Sequence, residues 1–267
     1  VIMLIDIGVN LSNSRFDQDR AEVLQRAQDA GVEKLILTGT SVSESESVVE
    51  LCRQFADRFP EMLYATAGIH PHDAKALNRE SISTLKALAT EPYVVAMGEM
   101  GLDFNRNFST PAQQEKAFEA QLELAAELQL PVFLHERDAA DRQLQILRTY
   151  RDHLVDAVTH CFTGPREALY GYLDLDMYIG VTGWVCDNKR GTELQELVAD
   201  IPLQRLMVET DAPYLLPKTM PEPPKGKRNE PAFLPWVVST IAEHRNESAE
   251  EIAQRTSENS IRFFRLR

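Results

Sequence analysis

Four short apolar runs in this chain each stop on a side chain able to bind a metal. Residues 131–134 lead into His135, with Glu136, Arg137 and Asp138 behind it. Residues 94–98 lead into Glu99, residues 157–159 into His160, and residues 206–208 into Glu209 and Asp211. A continuous apolar run of this length is the signature of a strand buried on both faces, and such strands belong to parallel sheets covered by helices. When a sheet of that kind closes into a barrel, the residues at the carboxyl ends of its strands converge on one rim. A single histidine after a strand is more often a hydrogen-bonded structural residue than a ligand. Glu, His, His and Asp after four separate strands form a set suited to a divalent cation.

The remaining strands follow the same rhythm. Residues 3–8, 34–38, 63–68, 94–98, 132–134, 157–159, 178–181 and 206–208 read as eight strands. Helical stretches separate them at intervals of roughly 25 to 40 residues, the pattern of a parallel sheet with helical crossovers. Gly31 suits the end of the first helix. Ser43 with Glu46 is expected to cap the second, which makes Cys52 a core residue; Thr110-Pro111 with Gln113 starts a long helix, and Ser248 with Glu251 caps the last. Ile261, Phe263 and Phe264 are expected to close the core. Residues 217–231, with five prolines, read as an ordered loop on the active rim. The expectation is a single-domain α/β fold, a TIM (β/α)8 barrel over residues 1–267.

Composition narrows the function. No apolar run approaches the ~20 residues of a bilayer span, and no leader is expected, so a soluble cytoplasmic protein with no membrane partner is the reading. Val1 and Ile2 stand ahead of Met3 either as native residues or as an appendage. Cys52, Cys161 and Cys186 are odd in number, far apart and without a CxxC pair, which fits a reducing compartment and excludes a thiolate zinc site. The net charge of −13 excludes broad electrostatic attraction to a phosphate backbone. A nucleic-acid substrate must therefore be held by divalent cations and a few local basic residues.

Metal-assisted hydrolysis needs ligands on rigid elements, an open position for water and a carboxylate able to take a proton. Glu99, His135, His160 and Asp211 are the expected ligands. Glu99 can bridge two ions, and Asp211 can bind one while its free oxygen orients or deprotonates water. His70, in the loop after the third strand, is placed to hydrogen-bond a phosphate or stabilise a leaving oxygen; His72 beside it reads equally as a loop residue. Arg137 can contact a phosphate through two bonds or pair with Asp138 or Glu136. Asp103 can hold a ligand histidine or an arginine in place, or cap a turn. Lys227, Arg228 and Asn229 can meet a nucleic-acid strand or form a solvated cluster, and Trp184 can stack a base or pack over the barrel. His153 and His244 are assigned nothing.

In order along the whole chain stand Gly68-Ile69-His70-Pro71, Gly98-Glu99-Met100-Gly101-Leu102-Asp103, Pro131-Val132-Phe133-Leu134-His135-Glu136-Arg137-Asp138, Thr159-His160-Cys161-Phe162-Thr163-Gly164, Glu209-Thr210-Asp211-Ala212-Pro213-Tyr214 and Arg228-Asn229-Glu230-Pro231. This succession resembles the signatures of the TatD-type deoxyribonucleases, in the TIM-barrel superfamily of metal-dependent hydrolases. The resemblance implies a divalent-cation-dependent phosphodiesterase acting on DNA, with Glu99, His135, His160 and Asp211 at the family's ligand positions. It also implies 3′-5′ exonuclease cleavage, by a monomer, of single-stranded DNA with RNA as a further substrate, and a place in DNA repair. One departure stands out. Many relatives carry a His-x-His pair after the first strand where this chain has Gly8 and Asn10, as in the branch nearest the bacterial TatD protein. One metal site is then weakened or lost, leaving one or two ions. The more oxygen-rich donor set shifts the expected ion from zinc toward magnesium, with manganese next. The competing reading, hydrolysis of a small ester, lactone or amide on the same barrel, is disfavoured because Glu99 stands where amidohydrolase relatives often carry a carbamylated lysine.

Overall fold

The computed structural model describes residues 3–267; Val1 and Ile2 lie outside the described residues. Eight parallel strands, β1 (Leu4–Val9), β2 (Val32–Leu37), β3 (Leu63–Ala67), β4 (Val94–Asp103), β5 (Val132–Arg137), β6 (Ala157–Thr159), β7 (Tyr178–Val181) and β8 (Leu206–Val208), lie in sequence order in one sheet. A parallel bridge between Val9 and Ala212 brings the last strand back to the first. Bonds from Asn10 N to the Ala212 carbonyl and from Asp211 N to the Gly8 carbonyl, each 2.9 Å, close the seam at the carboxyl rim. The expected TIM barrel is the observed fold.

Helices α1 (Arg20–Asp29), α2 (Val42–Phe55), α3 (Arg79–Leu88), α4 (Pro111–Leu128), α5 (Ala140–Tyr150), α6 (Arg166–Asp174), α7 (Thr192–Leu197), α8 (Leu234–Glu243) and α9 (Ala249–Phe264) alternate with or follow the strands. Thr110 and Gln113 form the expected reciprocal cap of α4, and the Ser248 side chain accepts from Glu251 N at the start of α9. The second helix begins two residues earlier than expected. Ser41 in extended backbone accepts from Glu44 N, and Ser43, already helical, does not cap. Among the described residues no helix is long and apolar enough to cross a membrane.

Two apolar cores follow from the strands being buried on both faces. One lies between the sheet and the helices and contains Cys52. The other fills the barrel interior with Ile5, Ile7, Ile36, Phe133, Val158 and Met207, and Phe263 and Phe264 of α9 join it. Side chains on a strand alternate between faces. Two residues beyond the interior-facing Phe133, Val158 and Met207, on the same faces, come His135, His160 and Glu209. The barrel's packing thus delivers these three polar groups to the layer above the apolar plug.

Candidate metal centre and active cavity

The expected ligands do not all stand at strand ends. Beyond its apolar run β4 continues through Glu99 to Asp103, paired with β5 as far as Asp103 opposite Arg137. Glu99 and His135 are therefore held within two hydrogen-bonded strands. A register shift between Gly98 and Met100 falls at Glu99. His160 directly follows β6. Asp211 lies three residues beyond β8 in left-handed backbone, with φ 56°.

Glu99 Oε1 is the centre of the arrangement. It lies 2.6 Å from His160 Nε2, 3.0 Å from His135 Nδ1 and 3.7 Å from His70 Nε2. The two nearer histidines present opposite ring nitrogens because a second carboxylate occupies the other nitrogen of each. Asp103 Oδ2 lies 2.9 Å from His135 Nε2, and Glu209 Oε1 lies 2.9 Å from His160 Nδ1. Phe133 stacks on the His160 ring with centroids 4.6 Å apart.

Charge in this buried cluster follows from its partners. Burial opposes the charged form of His160, but Glu99 and Glu209 outweigh it and hold the ring well above the ordinary histidine range. Burial likewise opposes charge on His135, while Asp103 and Glu99 raise it to about 9. Burial acts to raise Glu99, yet the facing histidines hold it well below the ordinary carboxylate range. His70 behaves differently, pushed down to about 3 chiefly by burial. Its Nδ1 accepts the His72 backbone N–H at 3.0 Å. The neutral ring therefore carries its proton on Nε2, and His70 reads as a hydrogen-bond donor.

Asp211 stands beside this cluster. Its Oδ1 accepts from the Asn10 side-chain amide at 3.1 Å, and that amide also reaches the Ala212 carbonyl. Burial, with Glu209 and Glu99 nearby, raises its carboxyl to about 7. The residue before it is pinned from below: the buried Asp6 accepts Thr210 N at 2.9 Å and the Thr210 hydroxyl at 2.5 Å.

All four expected ligands line one open cavity of about 1470 Å³, together with His70, His72, Arg137, Trp184 and Tyr214. Eight carboxylates and two arginines contribute to its lining, so the cavity is acidic like the chain as a whole. Arg137 is exposed there and forms no ion pair with Asp138 or Glu136 among the described residues. Asp103 also faces His72 Nε2, at 3.2 Å, which makes His72 more than a bystander in the loop. Trp184 lies on the rim beneath the Arg190 guanidinium, 4.5 Å from its ring centroid.

Two expected substrate contacts lie elsewhere. Arg228 is turned away from the cavity, bonded through both terminal nitrogens to Asp19 at 2.8 and 2.7 Å and placed over the Phe16 ring. Asn229 is fully buried, and its amide donates to the carbonyls of Thr210, Tyr214 and Leu215. Both fasten the proline-rich loop to the barrel. Conversely, sequence reasoning gave no role to Glu209, although it noted the residue at the end of the eighth strand. Fully buried, it lies within 4.8 Å of ligand atoms of His160 and Asp211.

A family model described as "TatD related DNase" matches residues 5–265. The chain is 52% identical over 263 residues to a protein of Pantoea sp. (strain At-9b) named "3'-5' ssDNA/RNA exonuclease TatD", covering 98% of this chain and all of that one. A protein of the same name in Salmonella typhimurium (strain LT2) is 49% identical, covering 98% of this chain and 99% of its own. Among solved structures, the TatD homologue YJJV of Escherichia coli K12 superposes with a TM-score of 0.88 at 30% identity, over 99% of this chain and 98% of that one.

Proposed function

This chain belongs to the TatD-related DNase family, and from that premise and the cavity described above we propose that it is a divalent-metal-dependent 3′-5′ exonuclease of single-stranded DNA and RNA. The observation that carries the reading is the convergence of His135 Nδ1 and His160 Nε2 on one oxygen of Glu99, at 3.0 and 2.6 Å. Two imidazole nitrogens and a carboxylate oxygen fit a divalent cation by donor type, and each histidine is backed by a further carboxylate, as metal-binding histidines commonly are. Glu99, His135 and His160 hold the ion. Magnesium is the ion proposed, with manganese or zinc also compatible with this donor set. When bound, the ion polarises a phosphoryl oxygen and makes water more acidic.

The protein's own groups do the rest. Asp211, raised to about 7 by burial, is suited to accept a proton from the attacking water, with Oδ1 held by Asn10 and Oδ2 free among the described hydrogen bonds. A ligand atom of Asp211 lies within 4.8 Å of one of His160, so Asp211 would remain in the ligand set expected from the sequence. His70 donates through Nε2 to the phosphate or to the leaving oxygen. Arg137, exposed on the rim, binds the phosphate backbone. An acidic cavity with two arginines gives little hold on long stretches of backbone, which favours a chain end over an internal segment. The chain is proposed to act as a monomer.

The test is turnover of 3′-labelled and 5′-labelled single strands by metal-stripped protein with magnesium, manganese or zinc restored. Shortening from the 3′ end that depends on the ion is expected. Folded protein that binds the ion yet cleaves no strand with any of the three metals refutes the proposal.

A further inference from the structure

Glu209 is a carboxylate with no exposure to solvent, beside a metal-binding histidine. Its position next to His160 and Asp211 invites assignment as another ligand. Its hydrogen bonds point elsewhere. Oε1 lies 2.9 Å from His160 Nδ1, and Oε2 accepts the Cys161 backbone N–H at 2.9 Å. Both oxygens are therefore engaged on the side of the imidazole away from Glu99.

The room for this carboxylate is made by two glycines on neighbouring strands. A Cβ on Gly8 would come within 2.5 Å of Glu209 Oε1, and 3.5 Å from the Phe133 ring that supports His160. A Cβ on Gly180 would meet Glu209 Oε2 closer still, and would lie 3.2 Å from His160 Cα. A side chain at either position must displace the carboxylate. Gly8, which the sequence alone marks as a missing ligand, is thus one wall of the notch that Glu209 occupies.

We propose that Glu209 is a positioning residue that fixes the His160 ring through Nδ1, leaving Nε2 to face Glu99 and the ion, and that Gly8 and Gly180 are required because they make room for it. The proposal rests on the reading of His160 as a metal ligand. It carries a consequence opposite to the simple view of Gly8: a histidine restored at that position does not rebuild a second metal site, because it evicts Glu209 and loosens the first.

The experiment is titration calorimetry of the full chain with Mn2+ alone, beside nitrogen-resolved NMR of the His160 ring. Wild type, Glu209→Gln, Gly8→Ala, Gly8→His and Gly180→Ala are compared, with circular dichroism to verify folding. Glutamine keeps the shape of Glu209 and can still accept from Cys161 N through its oxygen. Its amide then donates to His160 Nδ1, which requires that nitrogen to be without a proton and leaves the ring proton on Nε2, the atom the ion needs free. Glu209→Gln is expected to weaken Mn2+ binding ~10- to 100-fold and, in the metal-free protein, to remove the proton that His160 Nδ1 carries toward Glu209 in the wild type. A merely structural role leaves Nδ1 protonated as in the wild type. Gly8→Ala and Gly180→Ala are expected to lose affinity similarly, and Gly8→His to bind no more than the wild-type number of ions. Wild-type affinity and a still-protonated His160 Nδ1 in Glu209→Gln, or tighter binding or an added ion in Gly8→His, overturns the proposal. Wild type that binds no ion overturns instead the metal-site reading beneath it. If a glycine variant fails to fold, Glu209→Gln alone decides.

Discussion

The arc of the rim from β4 to β6 and the seam where β8 meets β1 face the same cavity but are built on opposite principles. In the arc, Glu99, His135 and His160 come from three adjacent strands, and Asp103 and Glu209 stand behind the two histidines. Every nitrogen or oxygen that could meet an ion already has a fixed direction. At the seam the one carboxylate that lines the cavity is Asp211, on left-handed backbone, and its neighbour across the gap is an amide, Asn10, which donates to it. Gly8 adds no side-chain ligand. Preorganised ligands favour binding, whereas a buried carboxyl raised to about 7 and held by a neutral donor favours proton transfer. On the proposed function, the arc binds the ion and the seam carries the proton transfer.

The sharpest way to break that division is to remove one group from each side. Glu99→Ala takes away the oxygen on which both histidines converge and is expected to abolish detectable Mn2+ binding, with a fall in turnover of at least ~10³-fold. Asp211→Asn keeps the shape of the side chain and is expected to lower kcat ~10²- to 10⁴-fold while metal affinity stays within about tenfold of wild type. Calorimetry with Mn2+ and single-turnover cleavage of a labelled strand measure both. If Asp211→Asn loses the ion as completely as Glu99→Ala, the seam is part of the metal site and the contrast collapses.

The next expected effect belongs to the arc alone. Without an ion, His135 is raised to about 9 and His160 is held well above its ordinary range, each against the cost of burial. The ion needs both rings neutral, so binding must expel protons. A histidine with a raised pKa keeps its proton until the pH passes the raised value, so metal affinity should increase through neutrality and up to about pH 9. The expected slope is about tenfold per pH unit for each proton released. Calorimetry in buffers of different ionisation enthalpy counts those protons. Affinity independent of pH between 6 and 9 would mean that the rings are already neutral, and that the carboxylates behind them orient without charging them.

The two regions were also unequally readable from the sequence. Strands with long apolar runs announced themselves because a strand covered on both faces must be apolar throughout, and the residues following those runs did reach one cavity. The extent of β4 was hidden. Beyond Gly98 the residues alternate glycine, methionine, leucine and acid, which reads as a loop, and only pairing with β5 through Asp103 makes them a strand. Glu209 was invisible in its role because its partner His160 lies 49 residues away, and no local pattern records that the glycines at 8 and 180 face its oxygens. Arg228 and Asn229 misled for a related reason. A basic and amide-bearing loop on the active rim resembles a substrate contact, and the groups that satisfy it, Asp19 and the carbonyls of Thr210, Tyr214 and Leu215, are distant in the chain.

That last correction supplies the smallest predicted effect, and it separates rim from seam once more. Arg137 projects from the end of β5 into the cavity without an ion-pair partner among the described residues, whereas Arg228 near the seam is fastened to Asp19 and covers Phe16. Arg137→Ala should raise KM for an oligonucleotide about tenfold, the loss expected of one charged phosphate hydrogen bond, with kcat little changed and stability unaffected. Arg228→Ala should do the reverse, leaving KM within a factor of two while lowering unfolding stability by about 1 kcal/mol, the scale of a partly exposed ion pair. Urea denaturation and steady-state kinetics on the two variants distinguish them. A raised KM in Arg228→Ala at wild-type stability would return that arginine to the substrate path. It would also mean that its bond to Asp19 yields when a strand is bound.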